Sequence, residues 1–429
     1  MKYEQLDKNL FIENRKLFSE KLNKNTLAIF NSNDIMPTNA DGSMPFRQNN
    51  DLFWLSGIDQ EESVLVISPN HSDENMREIL FLKETSELIA IWEGAKLTKE
   101  DAQKTSGIKT VFWLEELEGK LTELISEADA IFLNKNTHSR STSEVQTRDD
   151  RFRLKIAEKF SSKEIKEVAP IMHELRVIKS ESEIELMQTA CNITEKGFRR
   201  ILPFIKPGKM EYEIEAELIH EFLKNKSSGF AYQPIIGSGA NSCVLHYIDN
   251  NKECENGDIL LMDFGAEYAN YASDLTRTVP VNGKFTARQK AVYTSVLHVM
   301  KEATKMLVPG TIFKDYNKEV ARIMEFELIK LGLLNKHDVQ KQDSENPLYK
   351  KYFMHGTSHY LGLDVHDVGS FDSPMREGMV FTCEPGIYIL EEELGIRLEN
   401  DILITANGPN DLMKNIPIEI EEIEALMNR

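Results

Sequence analysis

Four acidic residues, Asp263, Asp274, Glu384 and Glu399, lie in two segments that otherwise read as core strands, and a histidine-rich stretch, HGTSHYLGLDVHDVG (355–369), falls between the two segments. The first segment, ILLMDFGAEYANYASDLTRTV (259–279), reads as two strand-like runs around a short connection from Glu267 to Asn270. A turn centred there sets Asp263 directly across from Asp274. The second, VFTCEPGIYILEEELGIRLENDILIT (380–405), repeats the plan: strands flanking Glu391 to Leu394 bring Glu384 opposite Glu399. Carboxylates facing each other at cross-strand separation, about 5 Å, repel. Such a pair must be exposed, share a proton, or hold a cation. Solvation explains one pair at a turn; it is a poor explanation for two pairs on hairpins that otherwise read as core. Four carboxylates plus an imidazole make an oxygen-rich donor set for hard or borderline divalent ions, and two ions about 3.5 to 4 Å apart satisfy that many acids. Manganese, cobalt, iron or magnesium suits the set better than a structural zinc, which prefers thiolates and histidines in a closed tetrahedron.

The stretch 355–369 holds His355, His359 and His366, three of the ten histidines in the chain. His355 and His359 have the HxxxH spacing, but Gly356 stands where the helical zinc motif needs glutamate, so that motif fails. A histidine near core strands is more often a hydrogen-bonded packing residue than a ligand, and the residues alone do not single out His359. Ser242 in GSGANS lacks a GxSxG elbow, and the GxG there lacks the rest of a phosphate-loop pattern. Gly237 and Gly239 instead suit a tight turn that presents His246. Cys191, Cys243, Cys254 and Cys383 form no CxxC pair, which fits neither a thiolate zinc site nor a disulfide framework and points to a reducing compartment.

The elements that must position these residues fall into two groups. The first third alternates strand-like runs, TLAIFNS, SVLVISP, EILFLKE and ADAIFLN, with helical stretches such as Leu114 to Ser126, an α/β pattern. Residues Asn134 to Arg153 turn polar, as an exposed excursion or linker would. A new unit starts near ELRVIKSESEIELMQ, where Ser180 and Glu183 have capping-box spacing and Ile184, Met187, Cys191 and Phe198 line one helical face. That helix should end by Pro207-Gly208 and a second should follow. The same order returns about a hundred residues on: a helical run from Ala287, then Pro309-Gly310, then a helix through VARIMEFELIKLG, as in a duplicated half.

With 429 residues, two domains are expected, and 41% hydrophobic with 28% charged residues is a globular composition. A formal charge of -19 makes polyanionic partners, nucleic acid or an anionic membrane, unfavourable. The N-terminal stretch MKYEQLDKNLFIENRK has no apolar core of a signal peptide, and no run approaches the roughly 18 apolar residues of a membrane span. A cytoplasmic location is expected.

Taken together, HGTSHYLGLDVHDVG, MDFGAEYANYASDLTRT, CEPGIYI and GIRLENDILIT resemble the pita-bread metallopeptidases, and among them the Xaa-Pro aminopeptidases (aminopeptidase P). Upstream, FRQNNDLFWLSG (46–57) resembles the signature of the N-terminal domain that aminopeptidase P and prolidase share, and WEGAKLT around Trp92 sits where that domain has a tryptophan segment. The resemblance implies an α+β protein: a smaller α/β N-terminal domain over residues 1–174 and a pita-bread catalytic domain with pseudo-twofold halves over 175–429. It implies that Asp274 and Glu399 bridge two divalent ions, that Asp263 completes one ion, and that His359 and Glu384 complete the other. Manganese is the expected metal, with cobalt, zinc or iron as substitutes. Water activated between such ions is a nucleophile near neutral pH. Glu384 matches the glutamate taken to shuttle its proton to the leaving nitrogen, help typically worth about 10²- to 10⁴-fold. His246 and His366 match histidines that hydrogen-bond the substrate and the tetrahedral intermediate. His355 and Arg397 match positions lining the proline pocket. Tyr388 is a candidate for one wall, and Trp92 for a contribution from another subunit of a homodimer or homotetramer.

The expected reaction is hydrolysis of the bond between an N-terminal residue and a following proline in peptides. Proline has no N–H and a fixed φ, so it needs a dedicated pocket. Prolidase, with the same fold and metals but acting on dipeptides, is the nearest alternative. A metal-free peptide-binding or creatinase-like member of the fold is a more remote one, because such lineages lose the acidic ligands and all five positions here keep them.

Overall fold

A computed structural model describes residues 2–138, 140–141 and 144–428. The chain divides into two compact units, Tyr3–Leu175 and Arg176–Arg429.

The first unit is built on a six-stranded sheet. Its strands are β1 (Thr26–Asn31), β2 (Val64–Ile67), β3 (Glu78–Leu82), β4 (Thr110–Trp113), β5 (Ala130–Leu133) and β6 (Glu164–Glu167), in the order β4-β3-β2-β1-β5-β6. β1 runs antiparallel to β2 and parallel to β5. Buried on both faces, the inner strands are continuous apolar runs such as AIFL and VLVI rather than alternating ones. The polar stretch 134–153 is not a linker throughout. Its end opens a helix, Arg148–Lys159, capped by a Thr147/Asp150 capping box, and Asp149 is buried where it accepts a hydrogen bond from Asn31 Nδ2 at 2.9 Å. Only one side of this helix is apolar, with Phe152 and Ile156 on the core, so its charged outer side hid the helical period.

The second unit states one plan twice. Helix Glu181–Ile201, with its Ser180/Glu183 capping box, is followed by Pro207-Gly208 and helix Glu211–Lys224. Helix Ala287–Lys305 is followed by Pro309-Gly310 and helix Phe313–Lys330. Gly208 and Gly310 take nearly the same left-handed φ, +88° and +89°, which only glycine adopts without strain.

Each helix pair leads to a hairpin. In the first, β8 (Ile259–Phe264) pairs with β11 (Leu275–Pro280), the ribbon continues through β9 (Glu267–Tyr268) and β10 (Tyr271–Ala272), and β7 (Ile235–Ser238) flanks β8. Ala269 and Asn270 both have positive φ, 51° and 66°, as a two-residue hairpin turn demands. In the second, β12 (Val380–Cys383) pairs with β15 (Asn400–Thr405), and β13 (Gly386–Ile389) with β14 (Leu394–Arg397); β16 (Gly408–Asp411) flanks β15. The hairpins are stitched together: the Glu399 N–H donates to Thr276 O at 3.1 Å, and the Arg397 N–H donates to Thr278 Oγ1 at 3.2 Å. No helix among the described residues is long and apolar enough to cross a membrane.

Candidate metal centre

The register of the first hairpin differs from the sequence expectation. Asp263 pairs with Thr276, not with Asp274, because the turn is centred between Ala269 and Asn270, one residue later than expected. Moving the turn by one residue moves the pairing by two. Side chains alternate with period two, so Asp263 and Asp274 stay on one face as diagonal neighbours. Tyr232 spans them: its hydroxyl lies 2.5 Å from Asp263 Oδ1 and 2.5 Å from Asp274 Oδ1. In the second hairpin, Cys383 pairs with Asn400 and Gly386 with Arg397, a shared register that sets Glu384 across from Glu399.

These strands converge on one buried cluster. Asp274, His359 and Glu399 present donor atoms within 4.8 Å of one another. His359 Nε2 is 3.4 Å from Asp274 Oδ2 and 3.7 Å from Glu384 Oε1. The ring is turned for ligation. Nδ1 lies 2.9 Å from the Tyr360 carbonyl, which can only accept, so Nδ1 carries the proton and Nε2 directs its lone pair at the carboxylates.

Against four carboxylates, the described residues set one guanidinium. Arg397 Nη2 donates to Asp263 Oδ2 at 2.6 Å, Nη1 to the Tyr388 hydroxyl at 2.8 Å, and Nε to Thr276 Oγ1 at 3.1 Å. Thr276 in turn donates to Glu399 Oε2 at 2.6 Å. Burial, reinforced by the neighbouring acids, pushes Asp274 and Glu399 well above the ordinary carboxylate range. Burial lifts Glu384 to about 7 even though His359 and Arg397 pull it down. The centre thus carries surplus negative charge in a desolvated place, and its donor set of carboxylate oxygens and one imidazole fits divalent cations.

Around the cluster, a relay fixes His355. Tyr388 accepts from Arg397 and donates to His355 Nε2 at 2.8 Å, while His355 Nδ1 donates to Gly356 O at 2.7 Å. Burial, with Arg397 close by, lowers His355 to about 4, so the ring is neutral near pH 7. His366 lies edge-to-face on His359, ring centroids 4.3 Å apart. His246 is exposed just after the turn Gly239–Cys243, near enough to influence the charge of His355. Gly237 packs flat there: a Cβ would meet Asn241 O at 2.8 Å. Trp92 belongs to the other unit, 80% exposed on the helix Glu87–Glu93. The four cysteines are free. Sequence reasoning missed Tyr232, Thr276 and Asp401, the last buried and accepting the Asp274 N–H at 3.1 Å. A tyrosine in GFAYQPIIGSG, a strand threonine and the second acid in RLENDILIT carry no local signal of their partners.

Residues 185–406 match the model of metallopeptidase family M24, and residues 11–132 that of the aminopeptidase P N-terminal domain. A Xaa-Pro aminopeptidase from Haemophilus influenzae is 36% identical over 436 residues, covering 99% of this chain and 98% of the relative. The chain belongs to metallopeptidase family M24. Among solved structures, Pseudomonas aeruginosa aminopeptidase PepP matches this M24 chain with a TM-score of 0.91 at 29% identity, over 99% of this chain and 98% of that one. Zn-substituted Escherichia coli aminopeptidase P in complex with product gives a TM-score of 0.88 at 33% identity, over 99% of both chains. A Xaa-Pro dipeptidase from Homo sapiens is more distant, 29% identical over 473 residues, 97% of this chain and 93% of the relative. The M24 unit has the pita-bread fold, preceded by the aminopeptidase P N-terminal domain.

Proposed function

We propose that this M24 metallopeptidase is a Xaa-Pro aminopeptidase that hydrolyses the bond between an N-terminal residue and a following proline. What carries the reading is the carboxylate surplus of Asp263, Asp274, Glu384 and Glu399 around a histidine whose Nε2 faces them. In this reading Asp263, Asp274, His359, Glu384 and Glu399 would together hold two divalent ions. When bound, the ions lower the pKa of water and polarise the scissile carbonyl. Manganese is proposed as the native pair, which the oxygen-rich donor set supports.

The side chains then divide the remaining work. Glu384 takes the proton from the attacking water and delivers it to the proline nitrogen, which has no N–H of its own and must gain one to leave as a secondary amine. His366 and His246 donate hydrogen bonds to the substrate carbonyl and to the tetrahedral intermediate. The neutral His355 and Tyr388, aligned by Arg397, form a wall of the pocket for the proline ring. Trp92, exposed on its helix, is proposed to reach the cleft of a neighbouring copy in a homodimer or homotetramer, and the enzyme to work in the cytoplasm.

The test is turnover of a Xaa-Pro dipeptide, a Xaa-Pro-Yaa tripeptide and longer peptides by chelator-stripped enzyme, with Mn²⁺, Co²⁺ or Zn²⁺ added back. Activity is expected only after metal return and on the tripeptide and longer substrates. Cleavage of the dipeptide alone would make the enzyme a prolidase, and full activity after stripping would end the metal reading.

A further inference from the structure

His359 and His366 are seven positions apart, yet their rings touch, perpendicular at 87°. The chain between them closes on itself. The Asp367 N–H donates to Tyr360 O at 2.9 Å, so the loop is shut immediately after His366. The residue that shuts it is an aspartate with a side chain only 1% exposed. Its carboxylate accepts from Arg176 Nη2 at 2.6 Å and from Lys179 Nζ at 2.9 Å, and Arg176 also reaches Asp364 Oδ2 at 3.0 Å.

This cluster binds together the three segments that carry the proposed ligands. Gly362 lies flat on it: a Cβ would stand 2.1 Å from Asp367 Oδ2 and 3.0 Å from Lys179 Cε. The Gly362 carbonyl accepts the N–H of Ala272 at 2.8 Å, two residues before Asp274. The Lys179 N–H donates to Gly378 O at 2.9 Å, just ahead of β12 and Glu384. A buried ion pair is an inefficient way to stabilise a fold, but it fixes direction, because each oxygen of the carboxylate has its own cationic donor.

We infer that Asp367, clamped by Lys179 and Arg176, is a positioning residue that sets His366 against His359 and aims it at the substrate. The inference rests on the proposed role of His366. It makes no use of Asp367 as a ligand or as a proton carrier.

The test uses the manganese-loaded full chain and a Xaa-Pro-Yaa tripeptide, with Asp367→Asn and Lys179→Met each made in the wild-type and His366→Ala backgrounds. In the wild-type background kcat should fall about 10- to 100-fold with KM changed less than about threefold and manganese content retained. In the His366→Ala background the further loss should be under about threefold, because the positioned group is already gone. Equal losses in both backgrounds, or a loss matched by lost metal, would overturn the inference. The His366 imidazole NMR signals, followed in the metal-free full chain so that no paramagnetic Mn²⁺ broadens them, provide a readout independent of turnover. Asp367→Asn should shift them, and unmoved signals reject the clamp whatever the activity. If Asp367→Asn does not fold, Lys179→Met decides by the same criteria. Should the wild type cleave no Xaa-Pro peptide, the functional reading fails while the NMR comparison still judges the positioning.

Discussion

Two clusters of buried charge in the catalytic unit are built in opposite ways. Around Asp367 the charges balance: Lys179 and Arg176 outweigh the effect of burial and hold its carboxyl below the ordinary value. Around Asp274 they do not. Four carboxylates share Arg397, and burial with mutual repulsion drives Asp274, Glu399 and Glu384 upward. The direction of the shift separates charge that folding has already neutralised from charge that requires an external cation or protons. The first kind holds a loop in place, and the second equips a site for metal chemistry.

The largest effect should come from the carboxylate of the surplus cluster that carries the proton. Glu384→Gln should reduce kcat on a Xaa-Pro tripeptide by about 10³-fold with the fold intact by circular dichroism; a loss under tenfold would remove Glu384 as the proton carrier. Next comes unbalancing the balanced cluster. Lys179→Met leaves Asp367 buried beside a single cation and should cost about 3 to 5 kcal/mol in urea unfolding of the loaded enzyme. A cost within experimental error would show that Arg176 alone suffices.

The pH dependence of the metal-free enzyme sharpens the contrast. Glu384 moves from an ordinary 4.5 to about 7, a raised carboxyl, so the folded state binds the extra proton. Its contribution is fully present below about pH 4.5 and is lost as pH rises through about 7, up to about 3 kcal/mol. Thermal melts of stripped enzyme should therefore decline between those pH values, and Glu384→Gln should flatten the decline. Asp367, a depressed carboxyl, works with the other sign: its contribution is present above its unfolded pKa and lost only in stronger acid. A metal-free enzyme whose stability rises through neutral pH would contradict the charge surplus. The smallest effect should be Tyr388→Phe, which breaks the Arg397–Tyr388–His355 relay at a cost of about 1 kcal/mol, or about fivefold in kcat/KM on proline peptides.

Much of this architecture was legible because it is local. Capping at Ser180, the repeated Pro-Gly breaks, the apolar strands and the acids flanking two turns are all short-range patterns. In the second hairpin the connection is Leu390–Glu393, one residue earlier than Glu391–Leu394, but the expected facing of Glu384 and Glu399 holds. The first hairpin is displaced because GAEYANYAS offers several adjacent turn positions; the left-handed pair falls at Ala269 and Asn270, and Gly265 lies flat on the opposite strand, where a Cβ would stand 1.7 Å from Ser273 O. The helix from Arg148 was read as linker because nearly all its surface is charged.

The sequence by itself determined the residue types of the centre, their order and the face of each strand that carries them, since strand periodicity and turn chemistry act over a few residues. Tertiary structure alone decided that Tyr232 spans two aspartates, that Arg397 pairs with Asp263, and that Asp367 meets Lys179 from 188 positions away. Those contacts depend on which surfaces meet when two hairpins and a loop pack together. No local pattern encodes that choice, because a carboxylate reads the same in sequence whether folding brings it a lysine or leaves it to a metal ion.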